Sequence, residues 1–205
     1  MSEYAPRNLF LALRPTAEAA QLVAAMRAFV QPAVPVGDGR LHVTLLRIAT
    51  DLPQPHSGLG ELILDALGGI WLPRCRLLFD TLVVTPRRAL LLPSEPLVGV
   101  RRLRDRLMLA LGRAAIRTAG DRLAPHVTLG YPAFGHELAP SQRAIEPIGW
   151  QACELLLIDS EIGATRHIVR GRWALAQPTG ASAGLDRAGA AREGGARLRT
   201  GSAHQ

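Results

Sequence analysis

The tetrapeptide His-Val-Thr-Leu occurs twice in this chain, in GRLHVTLLRI around His42 and in LAPHVTLGYP around His126, 84 positions apart. On a strand, residues two apart share a face. His42 and Thr44 then project to one side, with Val43 and Leu45 on the other; His126, Thr128, Val127 and Leu129 repeat the arrangement. If the two strands lie side by side across a pseudo-two-fold axis, two imidazoles and two hydroxyls surround one small anion. That set suits phosphodiester chemistry. Histidine titrates near neutrality, so one ring can take a proton from an attacking water or hydroxyl while the other donates one to the leaving oxygen. Threonine hydroxyls can hold the non-bridging oxygens where charge develops. The sequence holds no clustered carboxylates and no third histidine at ligand spacing, so neither a metal nor any other cofactor is expected.

The composition frames this chemistry. The chain has 205 residues, is 48% hydrophobic and carries a net charge of +7. Its length suffices for one sizeable core or two small lobes sharing one. All 24 basic residues are arginine, whose planar fork matches phosphate oxygens. RNA, DNA and nucleotides are therefore the first partners to consider, against the plainer reading of a solvated Arg-rich face. Cys75 and Cys153 are far apart and form no C-x-x-C pair, which suits a reducing compartment. The N-terminus lacks the pattern of a signal peptide, and no apolar run has the length of a membrane span. A soluble, cytoplasmic, monomeric protein without membrane association is expected.

Around the two motifs the chain alternates elements. RNLFLAL reads as a strand closed by Pro15. Thr16 can cap a helix in which Ala19, Leu22, Val23, Met26 and Val30 keep helical spacing. A Pro/Gly-rich loop leads to the first motif strand. A short helix over LGELILDAL follows, then two antiparallel strands, RCRLLFDTLVV and RALLL, turning at Pro86. Ser94 and Pro96 open a longer helix with Leu97, Val100, Leu103, Leu107 and Leu111 on its apolar face and arginines on the other. The second motif strand, a polar loop containing proline, and a closing pair, CELLLIDSEI and HIVRGRWAL, complete the order. Each motif strand follows a helix, as in a duplicated unit. The expected fold class is α+β and bilobal: two pseudo-symmetric lobes, each with a mainly antiparallel sheet and flanking helices, around a central cleft. Residues 1–177 form that single domain; residues 178–205 are rich in Gly, Ala, Ser and Arg, lack periodicity and are expected to be a disordered tail.

The twin motifs LHVTLL and PHVTLG, with RNLFLALRP, LVVTPRRALLLP and LLLIDSEI…RGRWAL, resemble the 2H phosphoesterase superfamily, and within it the bacterial RNA 2′,3′-cyclic phosphodiesterases, or 2′-5′ RNA ligase-like proteins. The resemblance covers about residues 7–176. It implies a bilobal fold, His42 and His126 as the catalytic pair and Thr44 and Thr128 as phosphate binders. It further implies hydrolysis of a 2′,3′-cyclic phosphate on an RNA end or nucleotide to a 2′-phosphate, reversible as 2′-5′ ligation. Which histidine is base and which is acid stays open.

The chain departs from the family at three positions. Relatives often carry Arg after the second motif and an aromatic after the first; here Tyr131 follows the second and Arg47 the first. Arg47 either supplies phosphate-facing charge from the other lobe or, its offset from His42 being odd, faces away into solvent unless a bulge re-aims it. His167 stands where relatives often have Tyr, and reads as a surface histidine or, alternatively, an extra cleft residue. Arg40 shares a strand face with His42 if the strand extends that far, and can meet phosphates at the cleft mouth or simply be solvated. Tyr131 can stack on a base or cap the core near Pro132. Arg101, Arg102, Arg104 and Arg106 read first as the wet face of their helix and second as an RNA track. His56 and His136 read as incidental, and Trp71, Trp150 and Trp173 as packing residues. Two rival functions remain: a two-histidine phosphodiesterase for another small cyclic nucleotide, such as a cyclic phosphate of an ADP-ribose derivative, and a non-catalytic binder of RNA or nucleotides.

Overall fold

The computed structural model describes residues 7–48, 57–119, 124–161 and 166–176. The expected tail at 178–205 and His56 lie outside these residues. Strand β1 (Arg7–Leu13) leads to helix α1 (Ala17–Ala25), capped by the Thr16 hydroxyl, which accepts from the Ala19 amide at 3.3 Å. A 3-10 turn (Met26–Phe29), the two-residue strand β2 (Val34–Pro35) and a second 3-10 turn (Asp38–Arg40) precede β3 (Val43–Ile48). Helix α2 (Ser57–Gly68), strands β4 (Cys75–Thr85) and β5 (Arg88–Leu92), and helix α3 (Val98–Arg113) follow. Then come the two-residue β6 (Thr118–Ala119), β7 (Val127–Tyr131), and the strands β8 (Ser141–Ala152), β9 (Glu154–Glu161) and β10 (Arg166–Ala174).

The principal strands run in the order β10-β9-β1-β3-β7-β5-β4-β8, and their pairings are antiparallel. The two halves of this path are the two lobes. Among the described residues the principal strands of the two lobes meet in a single pair, Val43 with Val127. Beyond that seam the motif strands diverge, and each gains a short partner instead: β6 pairs β3 at Arg47 and Ile48, and β2 pairs β7 at Gly130 and Tyr131. The repeated unit is thus strand, helix, short strand, motif strand, with β1-α1-β2-β3 in one copy and β5-α3-β6-β7 in the other. Gly130 lies where β2 comes closest: a Cβ there would sit 2.7 Å from the Pro32 ring and 2.8 Å from the Val34 carbonyl.

Helices α1, α2 and α3 pack into one core on one face of the sheet. Val100, Leu103, Leu107 and Leu111 of α3 are buried there, on the periodicity expected. They join Val43, Leu45, Val127 and Leu129 in a core that runs through both lobes. The opposite face carries a small apolar cluster of Phe10, Ala12, Leu156 and Ile158, with Val169 packed on it.

Strand β8 corrects the sequence reading, which left residues 141–152 as a loop. It forms the edge of the second lobe beside β4. Its first seven residues are mostly exposed and only Ile148, Trp150 and Ala152 are buried, so alternation is visible in its last residues alone. Pro147 sits in the irregular stretch between the Ile148–Phe79 and Ala144–Thr81 pairs, where an edge strand tolerates a missing donor. Helix α3 starts at Val98 with Leu97 as its cap residue, and neither Ser94 nor Pro96 caps it. Among the described residues no helix is long and apolar enough to cross a membrane.

Candidate active site

The antiparallel pair of Val43 and Val127 determines what faces what. Continuing that antiparallel register one step to either side sets His42 opposite Thr128 and Thr44 opposite His126. Both valines are buried on the helix side of the sheet, so the two His/Thr pairs share the other side. The two histidines come just before their strands, not within them. Each is held by the same local bond. The His42 Nδ1–H donates to the Arg40 carbonyl at 2.6 Å, and the His126 Nδ1–H to the Ala124 carbonyl at 2.9 Å. With Nδ1 engaged two residues back, Nε2 of each ring is the atom left for a ligand. The segment that delivers His42 is itself pinned: Arg27 pairs with Asp38 at 2.7 Å and donates to the Val36 carbonyl.

A bulge recurs at the same place in both lobes. Leu11 pairs Leu46 and Ala12 pairs Thr44, leaving Leu45 unopposed. Ala89 pairs Gly130 and Leu90 pairs Thr128, leaving Leu129 unopposed. Each motif leucine is therefore the extra residue of a bulge, and the faces shift by one beyond it. Burial follows: Leu45 and Leu46 are both inside, as are Leu129 and Gly130, while Arg47 and Tyr131 emerge. Arg47 pairs with Phe10, so it lies on the same face as Thr44, and its guanidinium donates to Asn8 Oδ1 at 3.2 Å. The odd offset from His42 thus does not turn Arg47 away from the cleft. Tyr131 holds the equivalent place in the second lobe and is 46% exposed. Continuing the β5–β7 register one step past Ala89 and Gly130 sets Arg88 beside it. Each lobe then presents one arginine and one aromatic ring, with their strands exchanged: Phe10 and Arg47, Arg88 and Tyr131.

Phe10, which the sequence reading did not single out, lies under His42 with ring centroids 5.1 Å apart and planes at 27°. His167 closes the group, edge-on to His42 at 5.3 Å and to Phe10 at 5.8 Å. That places His167 in the cleft and corrects the surface reading. Arg14 was also missed. Asn8, Phe10, Ala12 and Arg14 share one face of β1 and its extension, and the polar residues at its ends were the available signal. Arg40 is half-buried near His42, but it ends the 3-10 turn before β3 and does not share a strand face with that histidine, because the turn breaks the alternation.

The charges explain the histidines. Burial lowers the pKa of His42 most, and the positive potentials of His126, Arg14 and Arg40 lower it further, against the opposing bond to the Arg40 carbonyl. Burial also lowers His126, assisted by Arg88 and opposed by the Ala124 carbonyl. His167 is brought down to about 4, by burial first and then by His42, Arg40 and Arg14. A pocket that makes imidazolium costly with surplus positive charge is one that an anion relieves. Among the described residues no three His, Cys, Asp or Glu side chains gather as a metal-holding group.

Superposition on solved structures adds the fold's relatives. A protein crystallised as a phosphoesterase matches with a TM-score of 0.63 at 24% identity, over 84% of this chain and 99% of that one. E. coli LigT complexed with 3′-AMP matches with a TM-score of 0.62 at 24% identity, over 84% and 99%. This is the LigT fold. A Thermus thermophilus protein, TT0787, shares it too, with a TM-score of 0.61 at 21% identity, over 83% and 98%. No protein-family model matches the chain, and no curated protein matches it significantly. The described strands from β1 to β10 thus follow the LigT architecture, with two lobes about the seam at Val43 and Val127.

Proposed function

We propose that this chain is a 2H phosphoesterase that hydrolyses 2′,3′-cyclic phosphates on RNA ends or nucleosides to 2′-phosphates, with no metal taking part. The observation that carries this reading is the crossed arrangement of His42 opposite Thr128 and Thr44 opposite His126, each histidine with its Nδ1 tied back and its Nε2 left for a ligand. One imidazole Nε2 removes a proton from water. The resulting hydroxide attacks phosphorus and the P–O3′ bond breaks. The other ring, protonated, delivers its Nε2 proton to the departing O3′. One water is consumed, and a 2′-phosphomonoester with a 3′-hydroxyl results. Thr44 and Thr128 donate to the non-bridging oxygens as charge builds on them. Arg47, Arg88 and Arg40 supply the positive field, and Phe10 and Tyr131 supply faces on which a base can lie.

The anion has a second role. Its negative charge raises both histidine pKa values back toward neutrality, so binding itself equips one ring to act as acid. E. coli LigT, which shares this fold, has been crystallised in complex with 3′-AMP and with phosphate, which supports a nucleotide phosphate as the ligand here. The reading is tested by incubating the protein with a nucleoside 2′,3′-cyclic phosphate in EDTA and assigning the product by phosphorus NMR. A 2′-phosphate is the expected product. A 3′-phosphate, or no turnover of either the mononucleotide or a short RNA with the cyclic end, would overturn it.

A further inference from the structure

A cavity lies away from the histidines, on the helix side of the sheet. It has a volume of about 900 Å³ and opens between α3 and the segment joining α2 to β4. Four arginines line it, Arg74, Arg102, Arg106 and Arg113, against one carboxylate, Asp105. Arg102, Arg106 and Arg113 fall on one stripe of α3, spanning about 16 Å along the axis. The stripe adjoins the buried one and was read from sequence as a wet helix face. Wetting alone does not account for the arrangement. The guanidiniums of Arg102 and Arg113 make no hydrogen bond or ion pair among the described residues. Arg106 lies over the Trp71 ring at 5.0 Å and donates to the Trp71 carbonyl at 3.3 Å. Trp71 nevertheless remains 41% exposed at the cavity wall, unlike Trp150, which is buried in the core.

We propose that this cavity is a second nucleic-acid site, which binds the backbone and one base of a single-stranded RNA apart from its reacting end. Its choice of ligand rests on the RNA-end reading above. Guanidiniums at intervals along a helix neutralise successive phosphates, and an indole backed by a guanidinium offers a base a stacking surface that does not depend on sequence. The volume is that of a site for a nucleotide rather than a whole duplex. A second cavity lies next to it. It shares Asp105, is lined by Arg101 and Arg104, and ends at Ala124 and Pro125, the two residues before His126. The last described residue, Ala176, also lies at this rim. Ala176 bridges Pro73 and accepts from the Arg74 amide at 3.0 Å, and the sequence after it carries four arginines against two acidic residues.

The test is fluorescence anisotropy with a labelled single-stranded RNA of about twelve nucleotides ending in an ordinary 3′-hydroxyl, so that binding is read without turnover. Four phosphate contacts give a log–log salt slope of about −2.8, a roughly fifty-fold loss of affinity between 50 and 200 mM salt. In R102Q/R106Q the slope should fall to about −1.4, roughly a seven-fold loss over the same range. Trp71→Ala should weaken binding by about fivefold or more at fixed salt. Hydrolysis of a mononucleotide 2′,3′-cyclic phosphate by these variants should stay at the wild-type rate, which separates this site from the catalytic one. Wild-type affinity and slope in R102Q/R106Q would overturn the proposal, as would a wild-type chain that fails to bind the RNA at low salt. Neither result depends on whether the cleft hydrolyses anything.

Discussion

Replacing His167 with phenylalanine should make the fold less sensitive to acid. In the folded chain the His167 pKa stands at about 4, against 6.5 for a free imidazole. The folded state therefore binds fewer protons than the unfolded state across that interval. Stability is complete above pH 6.5 and is lost as the pH falls toward 4. At about pH 5 the whole shift corresponds to roughly 2 kcal/mol. The ring is only partly withdrawn from solvent, which screens the charges acting on it, and halving the figure leaves about 1 kcal/mol. Urea denaturation at about pH 7.5 and pH 5 reads the difference. With an m value of about 2 kcal/mol/M, the wild-type midpoint should drop about 0.5 M further than that of His167→Phe. His42 and His126 act in the same direction in both proteins, so the comparison isolates His167. Phenylalanine keeps a ring against Phe10 and His42, so packing is not the variable. An equal drop in both proteins would refute the reasoning.

Two further outcomes concern catalysis. Because His42 and His126 are both lowered in the free protein, kcat/KM should peak below pH 6.5 and fall by about tenfold per unit on the alkaline side as the acid loses its proton; a maximum above pH 7 contradicts this. Arg47→Ala removes a charge that the bulge turns to the cleft, and should lower kcat/KM for a cyclic nucleotide by about tenfold, mainly through KM; unchanged kinetics would return Arg47 to a purely structural bond with Asn8.

Much of this molecule could be read without coordinates because local signals agree with the final packing. β1 runs over the seven residues expected of it, Thr16 caps α1, and the buried stripe of α3 is the one its periodicity gives. The His/Thr pairs were legible because repetition is a sequence property. What was not legible depends on cross-strand pairing. The bulges at Leu45 and Leu129 leave no local signature, yet they decide where Arg47 and Tyr131 emerge. His167 is distant from His42 in sequence and joins it only once β10 pairs with β9 and β9 with β1. Strand β8 was hidden because its exposed half has no face to keep apolar. The arginines of α3 were visible, but their separation into two cavities depends on the neighbours that wall each side.

The central claim is that two histidines from two lobes act on one phosphorus. Single-turnover rates for a nucleoside 2′,3′-cyclic phosphate, measured in wild type, His42→Ala, His126→Ala and the double variant, test it directly. If the rings act as one unit, each single change should cost at least about a hundredfold, and the double should be little slower than either single. A single variant that retains most of the wild-type rate, or a double variant whose loss is the product of the two single losses, would contradict the account.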